Sequence, residues 1–171
     1  MARIDKIDLE NTSVQVKEVV KEHLRQGYRM TNEKLTLLHN VTAFLALEEQ
    51  SYAVDRELQR MVGKRAADFF EYAISLQNDC LVCSAYFKKL LRQNGIEDFN
   101  SFEFTPREAL LIEYGRAIAR DPKNVSDDLF ARLKEEFTQE EIVVFTTMGV
   151  FMIANNYFND ILQVEPENLD L

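Results

Sequence analysis

The sequence predicts an all-α protein that forms a single domain. Glycine and proline, which most often interrupt helices, number only 5 and 3 in 171 residues. Apolar residues recur at spacings of three and four along most of the chain, as on one face of a helix. No stretch alternates apolar and polar residues with a period of two, as a half-buried strand would. We therefore expect roughly seven or eight helices around one core.

The first half of the chain contains three predicted helices. Residues 13–26 have a valine-rich face and precede Gly27, a residue suited to a helix C-terminus. A second helix is predicted over residues 31–47. A third is predicted over residues 54–77, which have an apolar stripe at helical spacing formed by Leu58, Val62, Ala66, Phe69, Ala73 and Leu76.

Four further helices are predicted over residues 80–93, 105–120, 126–133 and 138–162. Three of them begin with a side chain that can cap a helix N-terminus, namely Thr105, Ser126 and Thr138. A glutamate three residues after each of the two threonines adds the pattern of a capping box. The second half of the chain is therefore predicted to be as helical as the first.

Composition and charge exclude several classes of function. A net charge of -9 leaves no basic face with which to bind nucleic acid or an anionic membrane. The longest apolar stretch, residues 142–154, is shorter than the roughly 20 residues that span a bilayer, and residues 1–6 lack the apolar core of a signal peptide. We expect a cytoplasmic protein with neither kind of partner. Residues 1–10 and 164–171 are polar and are predicted to be tails.

The most distinctive feature is the pair Cys80 and Cys83, the only cysteines in the chain, spaced C-x-x-C. In a reducing cytoplasm such a pair is more often redox-active or metal-binding than a structural disulfide. Asn78 and Asp79 are expected to break the preceding helix, so that Cys80 lies at the start of the next. Free backbone amides and the helix dipole favour a thiolate there. Cys83 is one turn further along, near enough to form a disulfide with Cys80.

Other interpretations of the pair stay open. Structural zinc needs four ligands, and the only histidines, His23 and His39, lie far upstream. An iron–sulfur cluster needs more cysteines unless subunits share one. The cysteines can also be small buried residues without chemistry. A thioredoxin fold is excluded, because its C-x-x-C follows a strand. Spacing and helix position favour redox chemistry with no metal and no cofactor beyond the dithiol.

The arrangement resembles the carboxymuconolactone decarboxylase superfamily, specifically its alkylhydroperoxidase D-like, peroxidase-related branch. The shared signature is an acidic residue on a long helix, here Asp68, then eleven residues, then C-x-x-C at the start of the next helix. The flanks agree at residues 37–41, 108–127 and 140–159. The resemblance extends over about residues 35–163, most of the chain.

The resemblance implies an all-α fold that assembles into trimers or hexamers and reduces hydroperoxides. It implies that Cys83 is the peroxidatic thiol, that Cys80 resolves it as a disulfide, and that Asp68 is the acid of a proton relay. A lipoyl or other dithiol carrier would restore the reduced pair. The position of the family's relay histidine is Phe87 here. Thiol–disulfide exchange with a disulfide substrate demands less of its surroundings than peroxide reduction does.

Three residues are auxiliary candidates, each with a structural alternative. Tyr86 follows the second cysteine by three positions and Tyr72 follows Asp68 by four, so each shares a helix face with its partner. Either tyrosine can equally be an aromatic of the core or of an interface. His39 can approach the site from the second helix or simply end that helix. Asp68 itself can form a surface ion pair with Lys64 instead of acting in a relay.

Two rival functions remain. The same fold can support a decarboxylase or isomerase that acts on a lactone, or a non-catalytic protein that binds a ligand or partner, with Phe87 filling the space of the lost histidine. Glu71 projects away from the apolar stripe and is expected to be solvated. The segment 142–154 is apolar nearly all round, which indicates a place in the core or in a subunit interface and favours a homo-oligomer.

Overall fold

The computed structural model describes residues 1–167, which form helices and connecting loops without any strand. The helices are α1 (Val14–Arg25), α2 (Asn32–Leu37), α3 (Val41–Phe44), α4 (Gln50–Val62), α5 (Lys64–Gln77), α6 (Leu81–Gln93), α7 (Pro106–Arg120), α8 (Asp127–Glu136) and α9 (Gln139–Leu162). A π-helical segment, Leu45–Glu49, joins α3 to α4 without a break, so these residues form eight separate helical stretches. The predicted all-α, single-domain fold is confirmed.

Polar caps define most helix starts where the sequence placed them. The Thr105 hydroxyl accepts a hydrogen bond from the Glu108 backbone N–H at 3.2 Å, while the Glu108 carboxylate accepts one from the Thr105 N–H at 2.9 Å. Thr138 and Glu141 form the same capping box at the start of α9. Ser126 caps α8 in the simpler way, through its hydroxyl alone. Each cap satisfies a backbone donor that the helix leaves free and contributes about 1 kcal/mol.

Three local features of the helices differ from the prediction. Residues 54–77 are not one helix, because Gly63 adopts a left-handed φ of 83° and separates α4 from α5. The helix predicted over 31–47 is interrupted before Asn40, whose side chain caps α3 by accepting from the Ala43 N–H at 2.9 Å. The helix break after Gln77 lies where it was predicted, but Cys80 is the N-cap of α6 rather than a residue of its first turn.

Helix α5 is the centre of the molecule. Residues 66–75 are buried on every side, in contact with α4, α6, α7 and α9. Phe69, Phe70 and Ile74 are fully buried there, and Phe145 of α9 packs near Phe70. Burial of each such side chain contributes about 1.5–3 kcal/mol relative to exposure. A smaller cluster, formed by α1, α2 and α3, contains Val16, Val20, Leu37, Leu38 and Phe44.

The N-terminal residues contact the body of the protein. The Arg3 N–H donates to the Leu162 carbonyl at 2.9 Å, and the Ile7 N–H donates to the Leu35 carbonyl at 3.1 Å. Val164 is buried. These contacts hold both ends of the described chain where the sequence predicted polar tails. Residues 168–171 of the predicted C-terminal tail lie outside the described residues.

Helix α9 is long and apolar enough to cross a membrane by length and composition alone, as core helices of soluble proteins also can be. Here one of its faces packs against α4, α5 and α7. The opposite face is exposed and contains, at alternating spacings of four and three, Val143, Thr147, Val150, Ala154, Tyr157 and Ile161. We call these six residues the α9 outer stripe.

We predict that Gly115→Ala destabilises the protein by about 1–2 kcal/mol. An added Cβ would lie 2.9 Å from Cδ2 of Phe70 and 3.2 Å from Cγ1 of Ile74, both fully buried side chains. The resulting strain should outweigh the roughly 1 kcal/mol that alanine gains in helix propensity. Urea unfolding of the two proteins measures the difference. In a Phe70→Leu background, which removes the ring edge, the same substitution should cost less; an equal cost in both backgrounds would contradict the packing account.

Candidate functional site

Cys80 and Cys83 lie side by side at the junction of α5 and α6. Both are free thiols, and their side chains are buried, with relative exposures of 0% and 7%. The chain turns between the helices at Asp79, which has a left-handed φ of 55°. The Cys80 N–H then donates to the Ser75 carbonyl at 3.1 Å, which anchors the second helix on the first. The turn thus brings the motif inside the protein.

The two thiols have unequal acidities. A hydrogen bond from the Cys83 thiol lowers the pKa of Cys80 against the effect of burial, and the backbone amides of Cys83 and Val82 lower it further. The charge of Asp160 acts in the opposite direction. The pKa of Cys83 is raised well above its usual value, first by this pairing with Cys80 and then by burial and the nearby Glu33. The shared proton therefore belongs to Cys83, and the thiolate forms at Cys80.

Amide side chains from α9 surround the second cysteine. Asn159 donates from Nδ2 to Cys83 Sγ at 3.3 Å. Asn156, which is fully buried, accepts from Asn78 Nδ2 at 2.9 Å, and its hydrogen bonding favours a Cys83 thiolate. Both asparagines bond side chains of the motif and its neighbours, so they are part of the site.

Glu33 of α2 is the acid that the sequence analysis missed. Its Oε1 is buried without a hydrogen-bond partner. Burial raises the pKa of Glu33 to about 8, assisted by the charges of Glu48 and Cys80 and opposed by hydrogen bonding with Asn159. An acid in the first turn of a helix is an ordinary feature of sequences. Nothing in the sequence therefore distinguished Glu33 from a solvated helix-start residue.

A buried ion pair lies beside Glu33. The Lys34 ammonium donates to the Arg29 carbonyl at 2.8 Å and to the Tyr52 hydroxyl, and is 3.5 Å from Oε2 of Glu48. Burial lowers the pKa of Lys34 and raises that of Glu48. Glu48 belongs to the π-helical segment, a distortion often found at functional sites. The distortion thus supplies the carboxylate that neutralises Lys34.

Asp68 lies in a different cluster. Its two carboxylate oxygens accept from Lys64 Nζ at 2.8 and 2.6 Å, the ion pair that the sequence allowed as an alternative to a relay. Asp55 and Glu71 complete this group, which we call the acidic cluster: Asp55, Asp68 and Glu71. The expectation that Glu71 is solvated is wrong, because α5 is buried all round and leaves Glu71 only 5% exposed. Burial and its two acidic neighbours raise the pKa of Glu71 well above 4.5.

The auxiliary candidates occupy three separate places. Tyr86 is 36% exposed and interacts with the acidic cluster rather than with the cysteines. Tyr72 packs edge-on against Phe99, with ring centroids 4.9 Å apart, and lines a separate cavity of about 200 Å³. His39 is at the surface, with Nε2 2.7 Å from the Asp5 carbonyl oxygen. None of the three forms a hydrogen bond with either cysteine within residues 1–167.

Two other residues from the sequence analysis are structural. Phe87, at the position of the relay histidine, is 7% exposed within the main core and packs edge-on against Tyr86. His23 is buried beside Tyr28 and Phe44, and burial lowers its pKa to about 4. In the part of the chain that the structure describes, no three histidine, cysteine, aspartate or glutamate side chains are placed to hold a metal ion.

No protein-family model and no curated protein sequence matches this chain. Its fold is similar to that of an uncharacterized peroxidase-related protein from Silicibacter sp. TM1040, with a TM-score of 0.73 at 15% identity over 96% of this chain and 92% of the other. It is also similar to an alkylhydroperoxidase AhpD core structure, an uncharacterized peroxidase-related protein from Ralstonia eutropha JMP134, with a TM-score of 0.71 at 20% identity over 98% and 93%. The predicted alkylhydroperoxidase D-like fold is confirmed.

We predict that Glu71→Gln stabilises the protein at neutral pH. Below about pH 4.5 the folded and unfolded chains both hold the Glu71 proton, whereas at higher pH the unfolded chain releases it and the folded chain keeps it. Wild type should therefore lose stability relative to the variant as the pH rises above 4.5. Glutamine keeps the shape and neutrality of the protonated acid, and its amide can donate to the neighbouring carboxylates of Asp55 and Asp68.

Urea unfolding of both proteins between about pH 4 and pH 8 tests this linkage. The matched control is Glu57→Gln, an exposed glutamate on α4 whose surface pair with Arg60 contributes little. A stability difference between wild type and Glu71→Gln that does not change with pH would show that the carboxyl group is not held neutral.

Proposed function

We propose that this protein is a thiol–disulfide oxidoreductase with peroxidase activity, in which Cys80 and Cys83 alternate between dithiol and disulfide. The observation that carries the proposal is the adjacency of two buried thiols with opposite pKa shifts, one towards thiolate and one towards thiol. A thiolate is the form that attacks peroxides and disulfides. The fold shared with peroxidase-related proteins supports the same reading.

The oxidising half of the proposed cycle begins at the Cys80 thiolate. Its sulfur attacks the terminal oxygen of a hydroperoxide, the O–O bond breaks, and the leaving alkoxide takes up a proton to become an alcohol. Cys80 is then a sulfenic acid. The Cys83 thiol attacks that sulfur, the S–O bond breaks, and the disulfide forms as the Cys83 proton leaves with hydroxide as water. The cycle oxidises two thiols and reduces one hydroperoxide.

The reducing half requires an external dithiol. One thiolate of a lipoyl-type or other dithiol carrier attacks the disulfide, and its second thiol resolves the mixed disulfide, which releases the carrier in its oxidised form. Such carriers belong to reducing compartments, so a cytoplasmic location fits this proposal. The protein itself needs no cofactor for either half. A disulfide substrate could replace the hydroperoxide without a change in the roles of the cysteines.

The proposed roles of the two cysteines differ from those that the resemblance implies. It made Cys83 the attacking thiol and Cys80 the resolving one. The backbone amides at the start of α6 and the thiol of Cys83 favour the charge on Cys80, while Glu33 and burial disfavour it on Cys83. Because the sulfurs are almost wholly buried, we expect small hydroperoxides to react faster than bulky ones.

Single cysteine variants test the proposal and the order of the roles. Hydrogen peroxide should convert the wild-type protein to one carrying a Cys80–Cys83 disulfide, seen by mass spectrometry as a loss of two hydrogens. In Cys83→Ser the serine hydroxyl can still donate to Cys80, so we expect a sulfenic acid that a dimedone-type reagent traps. In Cys80→Ser the remaining thiol loses its pairing with Cys80, but burial and Glu33 still raise its pKa, so it should react at least about tenfold more slowly.

Absence of any disulfide in oxidised wild type would refute the oxidoreductase proposal. Trapping at Cys83 in the Cys80→Ser variant, with an unreactive Cys83→Ser variant, would instead restore the roles that the resemblance implies. Circular dichroism of each variant verifies that the helices are intact before reactivity is compared.

We also propose that the protein is a homo-oligomer built on the α9 outer stripe. Its six residues alternate at spacings of four and three, the pattern of a coiled-coil seam, and none of them is charged. Val143, Val150, Tyr157 and Ile161 are all more than half exposed. A second copy of the same helix has the matching pattern. Trimers or hexamers are the assemblies that the family resemblance implies.

We predict that Val150→Glu dissociates the oligomer, because it places a charge at the middle of the α9 outer stripe, where each copy would have to bury it. Size-exclusion chromatography with light scattering gives the mass of both proteins. Ala131→Glu is the matched control, since it adds the same charge at an exposed position of α8. A wild-type protein that is monomeric at micromolar concentration, or a Val150→Glu variant of unchanged mass, would contradict the assignment.

A further inference from the structure

We infer that Glu33 is the proton-transfer residue of the Cys80–Cys83 pair, in place of the Asp68 that the resemblance implies. The inference rests on the proposed dithiol–disulfide function and adds a residue to it. It assigns chemistry to α2, an element that contributes no residue to the C-x-x-C motif and lies outside the signature that identified the motif.

Two buried oxygen atoms without partners mark the position. Oε1 of Glu33 and Oδ1 of Asn159 are both inaccessible to water and both lack a hydrogen bond within the described residues. The other end of the Asn159 amide donates to Cys83 Sγ at 3.3 Å. Unpaired buried acceptors are costly, and a proton on the Glu33 carboxyl supplies a donor where none is otherwise present. The Asn159 amide therefore links the Glu33 carboxyl to the reacting sulfur.

The surrounding structure holds Glu33 in this place. Its neighbour Asn32 donates from Nδ2 to the Glu165 carbonyl at 2.9 Å, just beyond the end of α9. The Leu35 carbonyl accepts from the Ile7 N–H at 3.1 Å. The start of α2 is thus fixed against the same end of α9 that presents Asn159. A residue so fixed has the defined geometry that proton transfer requires.

The charges that face Glu33 come from three parts of the chain. They favour its neutral form on balance, since one acid, Glu48, and the Cys80 thiolate oppose a single cation, Lys34. The titratable groups around it and around the cysteine pair are Lys34, Glu48, Tyr52, Cys80, Cys83 and Asp160. Burial is the largest contribution and raises the pKa of Glu33 to about 8. An acid with this pKa is protonated at neutral pH and can still release its proton.

The proton balance of the reaction fits this state. At the start Cys80 is a thiolate and Glu33 is neutral. When the thiolate attacks the hydroperoxide, Glu33 donates its proton to the alkoxide, which leaves as alcohol. When Cys83 attacks the sulfenic acid, the Glu33 carboxylate accepts the Cys83 proton and passes it to the departing hydroxide, which leaves as water. The negative charge that began on Cys80 ends on Glu33, and reduction by the dithiol carrier restores it to Cys80.

Asp68 is less suited to this role. Both of its oxygens bond Lys64, whose charge opposes the effect of burial on the Asp68 pKa. Glu33 is among the main influences on the pKa of Cys83, and Asp68 is not among them. Phe87, which replaces the relay histidine, is an apolar core residue with no proton to transfer. Phe87 therefore cannot pass protons between the acidic cluster and the cysteines, as a histidine at this position could.

The test is the pH dependence of disulfide formation in Glu33→Gln, with Asp68→Asn as the matched control. Glutamine keeps the shape and neutrality of the protonated acid, so a merely structural role of Glu33 would survive the change. In wild type the rate with hydrogen peroxide should rise as Cys80 ionises and fall above about pH 8, as Glu33 loses its proton. Glu33→Gln should be at least about tenfold slower near pH 7 and should lack the fall. Asp68→Asn should retain both the rate and the fall.

Each result bears on the inference separately from the proposed function. Wild type that forms no disulfide refutes the function itself. If wild type forms the disulfide but Glu33→Gln keeps both the wild-type rate and the decrease of that rate at high pH, only the role of Glu33 is overturned. If the reaction rate of Asp68→Asn no longer decreases above about pH 8, the role of Glu33 is overturned as well. If Glu33→Gln does not fold, Glu33→Asp is the second variant, because it keeps a titratable carboxyl group further from Asn159. It should react more slowly than wild type, and its rate should still fall at high pH. An unchanged rate in Glu33→Asp would contradict the inference.

Discussion

The burial of residues 66–75 of helix α5 on every side is the constraint on which the rest of the structure depends. Four helices cover it, so every polar group that it carries must find a partner inside the protein. Ser75 does so by donating to the Glu71 carbonyl at 3.0 Å, and Asp68 does so through Lys64. The chain leaves the core at Gln77 and Asp79, which are exposed, and returns to it at Cys80, whose N–H bonds the Ser75 carbonyl at 3.1 Å. The position of the C-x-x-C motif is therefore a consequence of how the core is packed.

Burial of that kind changes the chemistry of acidic groups more than any single neighbour does. Desolvation is the largest effect on the pKa of Glu33, of Glu71 and of Asp68, and it favours the neutral acid in each. Only Asp68 has a lysine bonded to it that offsets the effect. The protein thus contains two groups of buried acids with different environments. One, with Glu33 and Glu48, adjoins the cysteines, while the other, the acidic cluster, adjoins the Lys64 ammonium at the edge of the core.

Local sequence signals were sufficient to predict the helical fold and to single out the cysteine pair, but not the buried acids around it. Thr105, Ser126 and Thr138 mark helix starts because a cap depends on residues only three positions away. Gly63 gave no comparable signal, since a glycine within an apolar stripe is compatible with a continuous helix until the packing of α5 requires a turn. Glu33 and Glu71 were missed for a related reason. Their burial depends on helices distant in sequence, and no local pattern records which face those helices will cover.

In the proposed cycle, Phe87 at the position of the family's relay histidine leaves α6 without a proton relay to the cysteines. A histidine one turn after Cys83 could exchange protons with it directly, whereas a phenylalanine adds to the core and excludes water from that side. In the proposed cycle the pair exchanges protons on its other side, where α2 and the end of α9 meet. That side holds an amide bonded to the sulfur and an acid whose proton is retained by burial. In the proposed cycle, the apolar packing that leaves α6 without a relay also favours Glu33, because exclusion of water raises the pKa of a carboxyl group and lets it keep a transferable proton at neutral pH.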